Sequence, residues 1–270
     1  DDPYGAASSV TKVEASRKSA LLISRNNRLT HDPATSSACF SAAAGNGSKL
    51  GNIALGTYGP GAMDAYMNED AVNRDAGHRR WLIYTQATDF ATGDVPYVSN
   101  SLRAANTIYV RQRSTELATV TPRFIPWPNA GYCPWTHATE FWSLSYPGAG
   151  FSAATVSVTK AGVAQTVSNV VVEPGFGNNA IAWQVENLAI GGADTTYQVT
   201  VSGMTGTNVP TSHTYEVTFF NPNHLLTTPK LEGTNNPPLS GAKYTLAGVN
   251  IAEEYRLEVG EKAALSGTQG

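Results

Sequence analysis

Tyr146-Pro147-Gly148-Ala149-Gly150 divides the chain into two kinds of sequence. After it, short apolar runs alternate with period two: Ala154/Val156/Val158, Ile181/Trp183/Val185, Tyr197/Val199/Val201 and Tyr215/Val217/Phe219. Successive side chains of a strand point to opposite faces, so this alternation sets one face of each strand against a core. Gly, Asn and Pro punctuate the runs at short intervals, and no long helical pattern interrupts them. The pattern predicts a β-sandwich.

Before the break the sequence is mixed. Thr11 and Glu14 stand at the spacing of a capping box, which opens a helix. Val10, Val13, Ala20 and Leu21 then recur near the helical period, and Asn26-Asn27 ends it. A second helix starts at Pro60-Gly61, proline suiting the first turn, and Met63, Tyr66 and Met67 give it one apolar face. From about Tyr84 the pattern turns to strands, including Thr107-Ile108-Tyr109-Val110 and Glu140-Phe141-Trp142-Ser143-Leu144. Gly45-Asn46-Gly47-Ser48 reads as a loop, with no strand before it and no Lys-Ser/Thr to make a phosphate cradle. The expected class is α+β: a mixed domain over 1–146, an immunoglobulin-like β-sandwich over 147–220 and a linker over 221–241. Residues 242–270 then form a β segment, too short for its own core, that reads as the start of a further module.

Hydrophobic residues make up 41% of the 270, enough for a real core in each domain. Charged residues are only 14%, against roughly 25% in an average soluble domain. Ser, Thr, Asn and Gly must then supply the polar surface, a balance common in secreted and cell-surface proteins. The polar start at Asp1 reads as that of a processed or truncated product. A net charge of −3 with no basic cluster argues against nucleic acid. No apolar run approaches the roughly 20 residues of a membrane span. Cys39 and Cys133 are the only cysteines. An even count in a chain of secreted composition favours a Cys39–Cys133 disulfide over two buried thiols.

No His-Glu-x-x-His helix, Walker loop, Gly-x-Ser-x-Gly elbow or dinucleotide fingerprint is present. What remains is a sparse polar set: Leu29-Thr30-His31-Asp32-Pro33, Leu50-Gly51-Asn52-Ile53-Ala54, Glu69-Asp70, and Gly77-His78-Arg79-Arg80-Trp81. In this order the segments resemble the CAP domain (the cysteine-rich secretory and pathogenesis-related family, SCP-like extracellular) of bacterial secreted proteins. The resemblance covers roughly residues 8–145. It implies an α-β-α sandwich whose cleft carries two histidines and two acids. His31 matches the family's Leu-x-His segment, and His78 its Gly-His signature. Leu50-Gly51-Asn52-Ile53-Ala54 matches the Gly-Glu-Asn-Leu-Ala stretch, so Gly51 stands where a glutamate would and one acid is missing. A Trp-x-x-Glu pattern maps from Tyr66 onto Glu69. Asp70, i+7 from Met63 and i+3 from Met67, lies nearer the apolar helix face. Both acids are candidates for the cleft, Glu69 first. The helix that in the family precedes that of the His31 segment is missing or shortened here.

Two imidazoles in a polar cleft make a site for a divalent metal such as zinc, with His31 and His78 as ligands. Two ligands fall short of the usual three, so the ion is expected to be held weakly. The alternatives are a loop histidine bonded to backbone for His31 and a structural histidine beside Trp81 for His78. His137, His213 and His224 read as surface residues, Arg79 and Arg80 as partners of Asp75 or Asp94, and Trp127, Trp135 and Trp142 as core. The leading functional expectation is a secreted or cell-surface, non-catalytic module that binds a small ligand or an extracellular partner. One alternative is a metal-dependent hydrolase in which Glu69 or Asp70 activates water beside the histidines. Another is a self-assembling subunit of an extracellular fibre, layer or adhesin.

Overall fold

The computed structural model describes residues 11–69, 73–98, 102–112, 116–175, 177–188, 190–191 and 193–222, and the backbone of 230–232 and 245–247. The first helix, α1 (Lys12–Asn26), begins where the capping residues place it. Thr11 Oγ1 accepts the Glu14 amide at 3.1 Å, and Asn27 closes the helix in the left-handed conformation. Then come α2 (Ala42–Leu50), β1 (Gly51–Leu55), α3 (Pro60–Met67), α4 (Gly77–Leu82), β2 (Ala91–Val95) and β3 (Ala105–Tyr109). Pro60 lies in the first turn of α3, as expected. The three strands form an antiparallel sheet in the order β1-β3-β2.

Alternation along β1 and β3 sends residues to two cores, one on each sheet face. Ile53 and Ala105 join Leu22 and Ile23 of α1 and Ala44 of α2. Ala54 and Ile108 join Ala62 and Tyr66 of α3, with Trp81 and Leu82 of α4 packed against them. Helices therefore cover both faces of the sheet.

The segment Gly45–Ser48, read from sequence as a loop, lies inside α2. Its small residues are what the packing needs. A Cβ at Gly47 would sit 2.2 Å from the Ala15 carbonyl oxygen, so only glycine lets α2 reach α1. On the other side of α1, a Cβ at Gly93 of β2 would lie 2.3 Å from the Arg17 amide nitrogen. Serines complete the contact: Ser16 Oγ donates to the Ala91 carbonyl (2.9 Å), and Ser19 Oγ meets Ser48 Oγ (2.8 Å) and Thr107 Oγ1 (3.0 Å).

The remaining strands are β4 (Ile125–Trp127), β5 (Gly131–Pro134), β6 (Phe141–Ser145), β7 (Thr155–Lys160), β8 (Val163–Ala164), β9 (Val167–Glu173), β10 (Ala180–Val185), β11 (Thr195–Ser202) and β12 (Ser212–Phe220). They form two sheets, β4-β6-β10-β9 and β5-β12-β11-β7-β8, antiparallel except where β5 runs parallel to β12. One core joins them: Trp142, Leu144, Ile181, Trp183 and Val185 from the first sheet, Val158, Tyr197, Val199, Val201, Tyr215, Val217 and Phe219 from the second. The alternation read from sequence thus has its inward face where expected.

Pairing crosses the expected boundary at residue 146. β4, β5 and β6 precede it, yet they pair with β10 and β12 beyond it. The reason is in β6: Trp142 and Leu144 bury fully in the sandwich core, a contact the smaller cores around the three-stranded sheet do not offer. The break after Tyr146 is a turn within the sandwich. In the expected C-terminal β segment lies β14 (Thr245–Ala247), which pairs antiparallel with β13 (Lys230–Glu232), a strand within the stretch read as linker.

Two further expectations change. Cys39 and Cys133 are both free thiols, so the Cys39–Cys133 disulfide is not formed. Cys39 is exposed between α1 and α2, whereas Cys133 is buried in the sandwich core, where burial pushes its thiol up to about 11. His213 is no plain surface residue, because it stacks between Phe124 (centroids 4.1 Å apart) and Tyr215 (5.7 Å). No helix among the described residues is long and apolar enough to cross a membrane.

Candidate functional site

A cleft of about 360 Å³ opens where β1, α2 and α4 meet, with His31, Asn52, Glu69, Asp75 and His78 among its lining residues. The resemblance-derived residues His31, Glu69 and His78 are therefore brought together. Asp70, the second acid considered, lies outside the described residues.

His31 follows α1, and its ring is fixed by α2: Nδ1 lies 2.6 Å from the Ser48 carbonyl oxygen. A carbonyl only accepts, so Nδ1 donates, which assigns the tautomer. In the neutral ring the lone pair is then on Nε2. The backbone bond considered for His31 as an alternative to a ligand role exists, but it uses one nitrogen and leaves the other.

His78 is the second residue of α4. Its Nδ1 lies 2.7 Å from Oε1 of Glu69, which also accepts the His78 backbone amide at 3.0 Å. Glu69 Oε2 accepts the Arg79 amide at 3.3 Å. Glu69 lies in the coil after α3, is 2% exposed, and spends both oxygens on the first turn of α4 and on the imidazole. A buried carboxylate is tolerated where several donors meet it. Nε2 of His78 carries no bond to the protein among the described residues. From the opposite side, Asn52 Nδ2 donates to the His78 carbonyl at 2.9 Å. The Asn of the Leu50–Ala54 segment thus holds backbone, not ligand.

Under the imidazole lies Tyr66 of α3, with ring centroids 5.2 Å apart. Its hydroxyl donates to Asn106 Oδ1 (3.0 Å), and Asn106 Nδ2 donates to Asp94 Oδ1 (2.8 Å). Burial, with the Asp94 charge adding to it, pushes the Tyr66 phenol far above its ordinary range, so it remains a donor. Sequence reading missed this chain, although one signal was present. Asn106-Thr107 places two polar residues mid-strand in β3, where both are fully buried and each needs a partner on its own sheet face.

Gly51 is the position the resemblance gives to a glutamate. A Cβ there would lie 2.6 Å from the Gly47 carbonyl oxygen and 2.7 Å from that of Ile108. With β3 and α2 this close, no side chain fits, so the missing acid goes with the close packing of α2 on the sheet.

Of the two arginines after His78, Arg79 makes no hydrogen bond, among the described residues, to the expected partners Asp75 or Asp94; its side chain bonds to Met67 and Ser143. Asp94 is taken by the Gly59 amide (2.7 Å) and Asn106. Both guanidinium groups are instead buried against the sandwich. Arg80 still feels the charges of Asp75, Glu173 and Glu69, which offset part of its burial. Trp142 is core, as expected, whereas Trp127 is half-buried with the Arg79 guanidinium 5.9 Å over its ring.

Chemically, the cleft offers two imidazole nitrogens with unshared lone pairs, and the Asp75 carboxylate also lines it. No group of three or more His, Cys, Asp or Glu side chains converges on a metal position among the described residues. No protein-family model and no curated protein matches the chain.

Proposed function

We propose that this chain is a secreted or cell-surface binding protein of the CAP type, joined to an immunoglobulin-like sandwich, whose cleft takes up a divalent cation such as zinc. One observation carries the reading. Each cleft histidine has Nδ1 committed to an oxygen acceptor, Ser48 O for His31 and Glu69 Oε1 for His78, leaving Nε2 as the donor atom toward a ligand. Metal-binding histidines are oriented in this way, with an outer oxygen fixing the tautomer and raising ring basicity. His31 and His78 would hold the ion, and Ser48 and Glu69 would orient them. The ion would supply a positive centre to which an extracellular ligand adds its own donor atoms. Two protein ligands make that hold weak and exchangeable.

Glu69 favours binding over turnover. A general base needs a carboxylate within reach of substrate or water, but both Glu69 oxygens already accept protein N–H groups. The test is zinc titration by calorimetry of the wild-type chain beside the His31→Ala/His78→Ala double variant. The expected result is micromolar or weaker binding that the double variant abolishes. Equal heats from the two proteins would overturn the reading.

A further inference from the structure

We infer that the β-sandwich is part of the cleft: Arg79, anchored on Ser143 of β6, is the positioning residue that fixes His78 and its Glu69 partner. The inference rests on the proposed role of the His31/His78 cleft and names what holds that cleft in shape.

His78, Arg79 and Arg80 are consecutive in α4, and the helix sends them in two directions. His78 lines the cleft, whereas Arg79 and Arg80 are 0% and 1% exposed and reach the outer face of the β4-β6-β10-β9 sheet. Arg79 Nε donates to the Met67 carbonyl at 2.7 Å, and Nη1 donates to Ser143 Oγ at 3.1 Å. Met67 ends α3 two residues before Glu69. The contacts therefore close a ring: Ser143 holds Arg79, Arg79 holds the end of α3, Glu69 follows from that end, and Glu69 holds the His78 imidazole and the first amides of α4.

Arg79 suits this position and lysine would not. A guanidinium presents several donors in a fixed plane, so it satisfies two acceptors on different elements at once. Its charge is offset by Glu69, the same carboxylate that orients His78. Arg80 adds the second attachment: Nη2 donates to the Glu173 carbonyl at 2.9 Å and lies 3.4 Å from that of Asn178. The sheet face is shaped to receive both groups. β6 turns Trp142 and Leu144 inward, so Ser143 and Ser145 face outward, beside Ala182 and Ala180 as their cross-strand partners. All four are at most 3% exposed, although they lie on the face away from the sandwich core. Larger side chains there would leave no room for the arginines.

The test uses the full chain and three variants. Arg79→Lys removes the two-way bond, Ser143→Ala removes one acceptor, and Ser145→Ala is the control on the same face without a bond to α4. The readouts are zinc affinity by calorimetry and the ring ¹H–¹⁵N correlations of His78, which report the Nδ1–H tautomer without metal. We expect zinc affinity to fall about tenfold or more in Arg79→Lys, in line with loss of an orienting partner. The His78 ring signals should shift in both Arg79→Lys and Ser143→Ala and stay in place in Ser145→Ala. If Arg79→Lys does not fold, Ser143→Ala carries the test. Unchanged ring signals in folded Arg79→Lys and Ser143→Ala, or equal shifts in Ser145→Ala, would overturn the inference. If wild-type protein takes up no zinc while the ring signals behave as expected, the metal reading fails and the positioning role stands.

Discussion

Where α1 meets α2 and β2, the closest contacts are made by the smallest side chains; in the sandwich core they are made by the largest. Gly47 and Gly93 let α1 touch α2 and β2 backbone to backbone, and Ser16, Ser19 and Ser48 fill the contact with hydrogen bonds. The sandwich core holds Trp142, Trp183, Tyr197 and Phe219, with Trp142 and Tyr197 packed edge to face at 5.7 Å. One region is specified by close approach and the other by filled volume. They should therefore fail in opposite ways, the first when atoms are added and the second when atoms are removed.

The largest effect is expected from removal. Trp183→Ala empties a fully buried site and should cost about 3–5 kcal/mol in denaturant unfolding. A cost under 1 kcal/mol would mean that the aromatic core is not what closes the sandwich. Addition comes next. Gly93→Ala places a methyl 2.3 Å from the Arg17 amide and should destabilise by about 1–3 kcal/mol, although alanine suits a strand no worse than glycine. A neutral or stabilising result would remove the claim that α1 needs this approach. A smaller loss, about 1 kcal/mol, is expected from Thr11→Ala, which removes the side-chain cap of α1. Helicity measured by circular dichroism should then fall only slightly, because α1 remains packed on the sheet.

The smallest effect is a pH dependence that should belong to the sandwich alone. Burial lowers the pKa of His213, so the unfolded chain binds this proton more readily than the folded one. The associated stability is present above the ordinary imidazole value of about 6.5 and is lost as pH falls from there through the depressed folded value. His213→Phe should flatten that slope between pH 7.5 and 5. An identical slope in the variant would place the sensitivity elsewhere.

Much of this division was legible in the sequence. Period-two alternation named four strands of the sandwich, β7, β10, β11 and β12, and their inward residues, because one face of each packs on the core. The ends of α1 followed from Thr11, Glu14 and Asn27, where local hydrogen bonds decide the outcome. α2 was not legible: Ala42-Ala43-Ala44-Gly45-Asn46-Gly47 has no apolar stripe, and its helix follows from packing of small residues that periodicity does not register. The extent of the sandwich was also hidden. Phe141–Ser145 reads as a strand in either domain, and only its partners, β4 and β10, say which. In the cleft, spacing and resemblance pointed to His31, His78 and Glu69. They did not give the parts that Ser48, Tyr66 and Arg79 play there, which depend on contacts between residues 12 to 64 positions apart.

The bond from Arg79 to Ser143 also sets an order of events during synthesis. Chains are made from the N-terminus and domains commonly fold as they emerge. By residue 112 every helix and strand of the α/β layers exists, yet the acceptor for Arg79 lies in β6, and those for Arg80 follow at Glu173 and Asn178. The cleft is thus completed last in its own half of the protein, after ribosomes have moved well into the other half. A nascent chain halted just before β6 should expose Arg79 and Arg80 to trypsin, and one released after β10 should protect them.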